Sequence, residues 1–142
     1  MKTILALALS LAAGAIVVAQ SPATDVRPAD LVGSWQQTQQ TNDRNGNRQI
    51  DPEELKAVRT DSAMVFLKFR LNADGTCQHG DSKSKCRYEL EPQGSGRQRL
   101  MMFLEGPTPS KENKGIIHSV TKNELILANY GSGSFTFYKR TQ

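Results

Sequence analysis

From residue 64 onward, short apolar or alternating runs are cut again and again by turns of Gly, Asn, Asp and Pro. That pattern belongs to antiparallel strands joined by tight links, and it leaves few other folds open. Over residues 64–71, Val65, Leu67, Phe69 and Leu71 alternate with Lys68 and Arg70. The turn Asn72-Ala73-Asp74-Gly75 leads into a strand from Thr76. Residues 86–90 form the next, stopped by Pro92 and Gly94-Ser95-Gly96. Residues 97–105 follow, apolar on both faces from 100 to 104, and then 115–120, 124–129 and 134–140. A more polar strand over 34–41 precedes them all. The expectation is an all-β fold: a small antiparallel meander barrel of about eight strands, closed so that no edge is left exposed. An open sandwich is the competing architecture.

One short helix interrupts the strands. Asp51 is a good N-cap, Pro52 suits the first helical position, Glu53 and Glu54 favour the positive end of the dipole, and Lys56 and Arg59 favour the other. The spacing predicts a helix over residues 52–60.

The N-terminus reads as an export signal. Lys2 precedes an uncharged Leu/Ala-rich run over residues 4–18, and Val17-Val18-Ala19 fits the small-x-small cleavage rule. Cleavage would leave Gln20 first. A membrane anchor is the alternative, but the run falls short of the roughly twenty residues a spanning helix needs. The organisation expected is a signal over 1–19, a lead with Pro22 and Pro28 over 20–29, and one domain over 30–142, in the periplasm or secreted. No stable membrane insertion is expected after cleavage.

Removing the signal takes away only Lys2, leaving 17 Lys+Arg against 14 Asp+Glu, a net charge of +3. The basic residues are scattered, so nucleic acid is not an expected partner. Cys77 and Cys86 are the only cysteines. In an exported chain they read as one disulfide, closing a polar hairpin tip. A zinc pair is the alternative, with His79 and His118 as further ligands.

Asp30-Leu31-Val32-Gly33-Ser34-Trp35 opens the first strand, and Phe135-Thr136-Phe137-Tyr138-Lys139-Arg140 closes the last. The Gly-x-Trp start and the aromatic strand ending in Arg resemble the lipocalin superfamily, above all its short bacterial lipocalin-like members. Residues 71–77 and 120–127 resemble strand–turn–strand segments of the same domains. The resemblance implies that Trp35 plugs one barrel end and that Arg140 stacks over it as a cation–π pair. It also implies a small apolar ligand in the barrel mouth. Met101, Phe103, Phe66 and Phe135 are candidate lining residues, though such side chains serve more often as core.

Residues 43–54 resemble an EF-hand or dockerin calcium loop. Asp43, Asn45 and Asn47 occupy positions 1, 3 and 5, the Gln49 carbonyl position 7, Asp51 position 9 and Glu54 position 12. Calcium needs six to eight oxygens, and this spacing offers them. Arg48 stands at position 6, where Gly is usual, and the two asparagines lower the charge. Both features predict a weak, structural site. The competing reading is a polar turn leading into a capped helix.

No catalytic motif is legible. Ser132 lies in a turn without strand-to-helix context, no Gly-rich phosphate loop is present, and Asp74 and Asp81 sit where turns favour Asp. The expectation is a non-enzymatic binding protein. The alternatives are a protein-binding module resembling the exported inhibitors of secreted metalloproteases, whose N-terminal arm here would be 21–29, and a calcium-stabilised cell-surface component.

Overall fold

The computed structural model describes residues 23–57 and 67–141. The signal segment therefore lies outside the described residues, as do Phe66 and the end of the expected helix beyond Ala57. The elements are α1 (Pro28–Leu31), β1 (Gly33–Asn42), α2 (Pro52–Lys56), β2 (Lys68–Leu71), β3 (Thr76–His79), β4 (Cys86–Pro92), β5 (Gln98–Leu104), β6 (Ser110–Val120), β7 (Glu124–Asn129) and β8 (Ser134–Thr141). The eight strands form a closed antiparallel barrel, each paired with its sequence neighbours, with β8 closing on β1. The meander barrel is what the alternation predicts; the sandwich is excluded by the closure.

Several elements depart from expectation: α2 ends at Lys56, with Ala57 already its C-cap, rather than reaching residue 60, and β4 runs through Pro92 rather than stopping at Leu90. The end of the lead is not extended: Pro28 at the first helical position and Asp30, whose carboxylate accepts the Arg27 N–H at 2.9 Å, build the turn α1. β6 begins at Ser110 rather than Gly115, because its first residues are polar and carry no alternation of hydropathy.

Pairing fixes which face of each strand turns inward. Tyr88 lies opposite Met102 and Leu90 opposite Leu100, while Leu125 lies opposite Tyr138 and Trp35 opposite Arg140. Apart from Arg140 and the partly buried Leu90, which packs against them, these residues belong to one buried cluster fed by every strand, with Trp35, Leu71, Leu100, Met102, Ile117 and Leu125 fully enclosed. That cluster is the lumen. On β5 the alternate residues Met101 and Phe103 consequently face outward, and Phe103 lies under the Arg87 guanidinium at 4.0 Å. Phe135 also sits outside, in a second cluster with Ile126, Ala128 and Phe137 beneath Ile50 and Leu55 of the β1–β2 connection. Met101, Phe103 and Phe135 are thus not lumen-lining residues. β7 is buried from Leu125 to Ala128 because the lumen covers one face and the inserted connection the other.

The seam between β3 and β4 is short, pairing Thr76 with Arg87 and Cys77 with Cys86. Cys77 and Cys86 form a disulfide across it, with Cα atoms 4.8 Å apart. Closing a loop of this length stabilises by about 2.5–3 kcal/mol on the chain-entropy argument. A bonded pair has no thiolate to offer, so the zinc alternative falls.

Candidate functional site

One barrel end is sealed. The Trp35 indole N–H donates to the Leu31 carbonyl at 2.8 Å, and the Arg140 guanidinium lies 4.1 Å above the indole ring. Arg140 also donates to the carbonyls of Lys122 at 2.6 Å, Asp30 at 3.2 Å and Val32. The lead crosses this end: Ala23 N–H donates to His118 O at 2.6 Å, Asp25 N–H to Gly96 O at 3.0 Å, and Val26 joins the core. A shallow groove runs between the lead and the β6–β7 turn, lined by Thr24, Asp30, Lys122 and Arg140. Trp35 and Arg140 therefore meet at this end, in the stacked arrangement the resemblance implies.

The loop after β1 turns twice through left-handed backbone, with φ of +70° at Gly46 and +61° at Arg48. Position 6 thus makes the sharp turn a calcium loop requires, although a non-glycine residue pays about 1–2 kcal/mol for it. Asp43 Oδ2 accepts the Arg48 N–H at 3.0 Å, Asn45 Oδ1 the Asn47 N–H at 3.0 Å, and Asn47 Oδ1 the Gln49 N–H at 2.8 Å. The amide nitrogens of Asn45 and Asn47 both donate to Asp51 Oδ2, at 2.6 and 2.8 Å. Glu54, 2% exposed, accepts the Arg44 N–H at 2.7 Å and the Asp51 N–H at 3.1 Å, so it caps α2 and ties the helix to the loop. Thr41 fastens the other side, donating to Glu54 O at 2.8 Å.

Asn45, Asn47 and Asp51 are thus joined by direct side-chain bonds, Asp43 is tied to the loop through the Arg48 N–H, and Glu54 through the backbone of Asp51; Gln49 enters through its backbone. Among the described residues, no three His, Cys, Asp or Glu side chains converge as a ready cage. The donor set is mixed, with two amides between the carboxylates. Asp43 Oδ1 is buried and has no hydrogen-bond partner. A hard cation suits these oxygens: it would satisfy Asp43 Oδ1 and replace the amide donors that now neutralise Asp51.

The opposite barrel end carries a cluster that sequence reasoning missed. Lys114 Nζ lies 2.9 Å from His79 Nε2 and 3.0 Å from Glu112 Oε2, and His79 Nε2 lies 3.3 Å from the same carboxylate. Four strands are involved. His79 on β3 sits opposite Phe69, and Glu112 on β6 opposite Met102, both lumen residues. Since β4 and β5 separate β3 from β6, the contact spans the lumen. The Lys114 ammonium lies 5.8 Å from the Phe69 ring, and Phe69 meets Tyr138 edge-on at 5.1 Å. Burial holds the His79 pKa below its usual value, the Lys114 charge adds to the fall, and Glu112 opposes both. The 3.3 Å His–Glu approach is therefore outweighed, and His79 is a neutral acceptor for Lys114 at neutral pH. Burial pushes the Tyr138 phenol up to about 12. The mouth thus presents a lysine, a neutral histidine and a carboxylate above an aromatic floor.

The one signal for this cluster was the Glu112–Lys114 spacing, which puts both on one strand face; it is unreadable until β6 is extended to Ser110. No family model, curated protein or solved structure matches this chain.

Proposed function

We propose that this chain is an exported, non-catalytic binding barrel of lipocalin-like type that holds a small, largely apolar ligand at its open end and orders its longest connection with calcium. The observation that carries the reading is the asymmetry of the lumen. One end is filled by Trp35, Leu31 and Arg140, whereas the other sets Lys114, His79 and Glu112 over Phe69, Met102 and Tyr138. Such a mouth receives an apolar body with a polar end, the usual composition of a small-molecule site. Leu104, at the mouth end of β5, packs against the core from there. The disulfide supports an extracytoplasmic location, and no helix among the described residues is long and apolar enough to cross a membrane.

The test is titration with a fluorescent amphiphile, dansyl-undecanoate. Saturable binding is expected, and Leu104→Trp, which fills the mouth, should remove it. Absence of saturable binding to the unaltered protein would overturn the ligand reading.

Calcium is supported by the left-handed turn at Arg48 and by the orphaned Asp43 Oδ1. Its role is to hold the loop that covers Ile126, Ala128, Phe135 and Phe137. In millimolar Ca2+ after EDTA, the unfolding temperature should rise by about 2–6 °C, with no matching rise in Mg2+. Asp43→Asn should remove the response. No shift in Ca2+ would leave the segment a capped polar turn.

The arm-insertion reading is the weaker one. From Ala23 to Leu31 the lead is bonded to Gly96 and His118 and contributes Val26 and Leu31 to the core, so this part does not project.

A further inference from the structure

Outside the barrel, on the face of β5, β6 and β7, a recess of about 80 Å³ is walled by Arg99, Asn113, Asn129 and Tyr130, with Gly115 and Gly131 contributing backbone alone. Its polar groups are almost all donors. Arg99 Nε is buried without a hydrogen-bond partner, and the Tyr130 hydroxyl, which Arg97 engages, keeps its own O–H to donate. Asn113 turns its Oδ1 to the Gly115 N–H at 3.0 Å, and Asn129 turns its Oδ1 to the N–H groups of Gly131 and Ser132 at 3.2 and 3.3 Å. Those bonds fix both amides, so each has its NH2 left to donate. No Asp or Glu among the described residues lines the recess. Further positive charge stands behind it. The Arg48 guanidinium lies 5.2 Å from the Tyr130 ring centroid, and Arg97, whose Nε is also buried without a partner, acts on the same phenol. Burial raises the Tyr130 pKa while Arg97 and Arg48 pull it down; Asp43 acts on it with the opposite sign.

Orphaned buried donors are costly, at roughly 1–3 kcal/mol each. A wall of donors with uncompensated guanidinium charge is completed by an acceptor-only group carrying negative charge. A volume of about 80 Å³ holds a single oxyanion group and little more.

We propose that this recess is an oxyanion-binding site, distinct from the barrel mouth, in which Arg99, Asn113, Asn129 and Tyr130 hold a phosphate or carboxylate group. The two sources share one chemistry and differ in charge and shape. The recess is lined by neither Lys114 of the mouth nor any ligand position of the loop after β1, although Arg48 of that loop stacks on Tyr130.

The experiment is a titration of the disulfide-bonded, 15N-labelled protein, followed by the side-chain N–H signals of Arg99, Asn113 and Asn129. Inorganic phosphate and acetate are added separately at constant ionic strength, up to about 50 mM. Saturable shifts at these groups are expected. Saturation by phosphate alone assigns a phosphorylated ligand, and saturation by acetate assigns a carboxylate. Asn129→Asp keeps the oxygen that accepts Gly131 and Ser132 but replaces the donor with a negative charge. It should fold as before and lose at least about tenfold in affinity. Arg99→Lys keeps the charge without the fork and should lose about tenfold. Linear, non-saturating shifts with both anions would overturn the proposal, as would unchanged affinity in Asn129→Asp.

Discussion

Gly33 and Arg140 hold the sealed end between them. Gly33 has φ of +140°, and a Cβ built there collides with the Arg140 guanidinium. The same guanidinium covers the indole and collects three carbonyls, so it has nowhere to retreat. Gly75 also has positive φ, +83°, but its Cβ would meet nothing within 4 Å. The two glycines separate backbone strain from collision. Gly75→Ala should cost about 1 kcal/mol, whereas Gly33→Ala should cost roughly 2–4 kcal/mol, because strain and lost Arg140 contacts add. Urea midpoints of the two variants check this; equal losses would mean that Arg140 moves aside freely. Arg48 shows what a sequence conceals at this scale. Its side chain counts against a calcium loop, yet the backbone adopts the left-handed turn with φ of +61°, and stacking of the guanidinium on Tyr130 offsets part of the strain.

At the scale of elements, legibility followed hydropathy. β7 has the bounds expected of it, and β8 differs only by its last residue, because apolar side chains mark both. β4 and β5 were legible in place, and in β5 the apolar run on both faces reports a lumen face and a covered outer face. The first five residues of β6, Ser110 to Lys114, were not legible, because a strand whose inward face meets water at a mouth needs no alternation. α1 was missed for another reason. Four residues are too few for a helical period, and its Pro28 and Asp30 signals looked like those of a linker. The candidate site divides along the same line. The loop residues lie within twelve consecutive positions, so spacing alone assembled them. His79 and Glu112 lie on strands that only barrel closure brings face to face.

The cross-lumen cluster ties β3 to β6, so its charge state belongs to the whole barrel rather than to one strand. His79 is held neutral by burial first and by Lys114 second. Its folded pKa lies below the usual value of about 6.5, and the unfolded chain therefore takes up its proton first. The stability it contributes is fully present above about pH 6.5 and is lost as pH falls through the folded pKa. Protonation also puts a second positive charge 2.9 Å from the Lys114 ammonium, relieved only by turning Nε2–H toward Glu112. Acid should therefore loosen the mouth before it unfolds the sealed end. His118 is buried against Phe135 elsewhere in the barrel, so the decisive comparison is with a variant of His79 alone. His79→Gln keeps an acceptor for Lys114 but cannot take up a proton. Unfolding temperatures measured from pH 7.5 down to 5 should fall less steeply in the variant, with the two curves parting near pH 6.5. Parallel curves would show that His79 does not couple protonation to the stability of the barrel, and the neutral assignment at the mouth would fall with it.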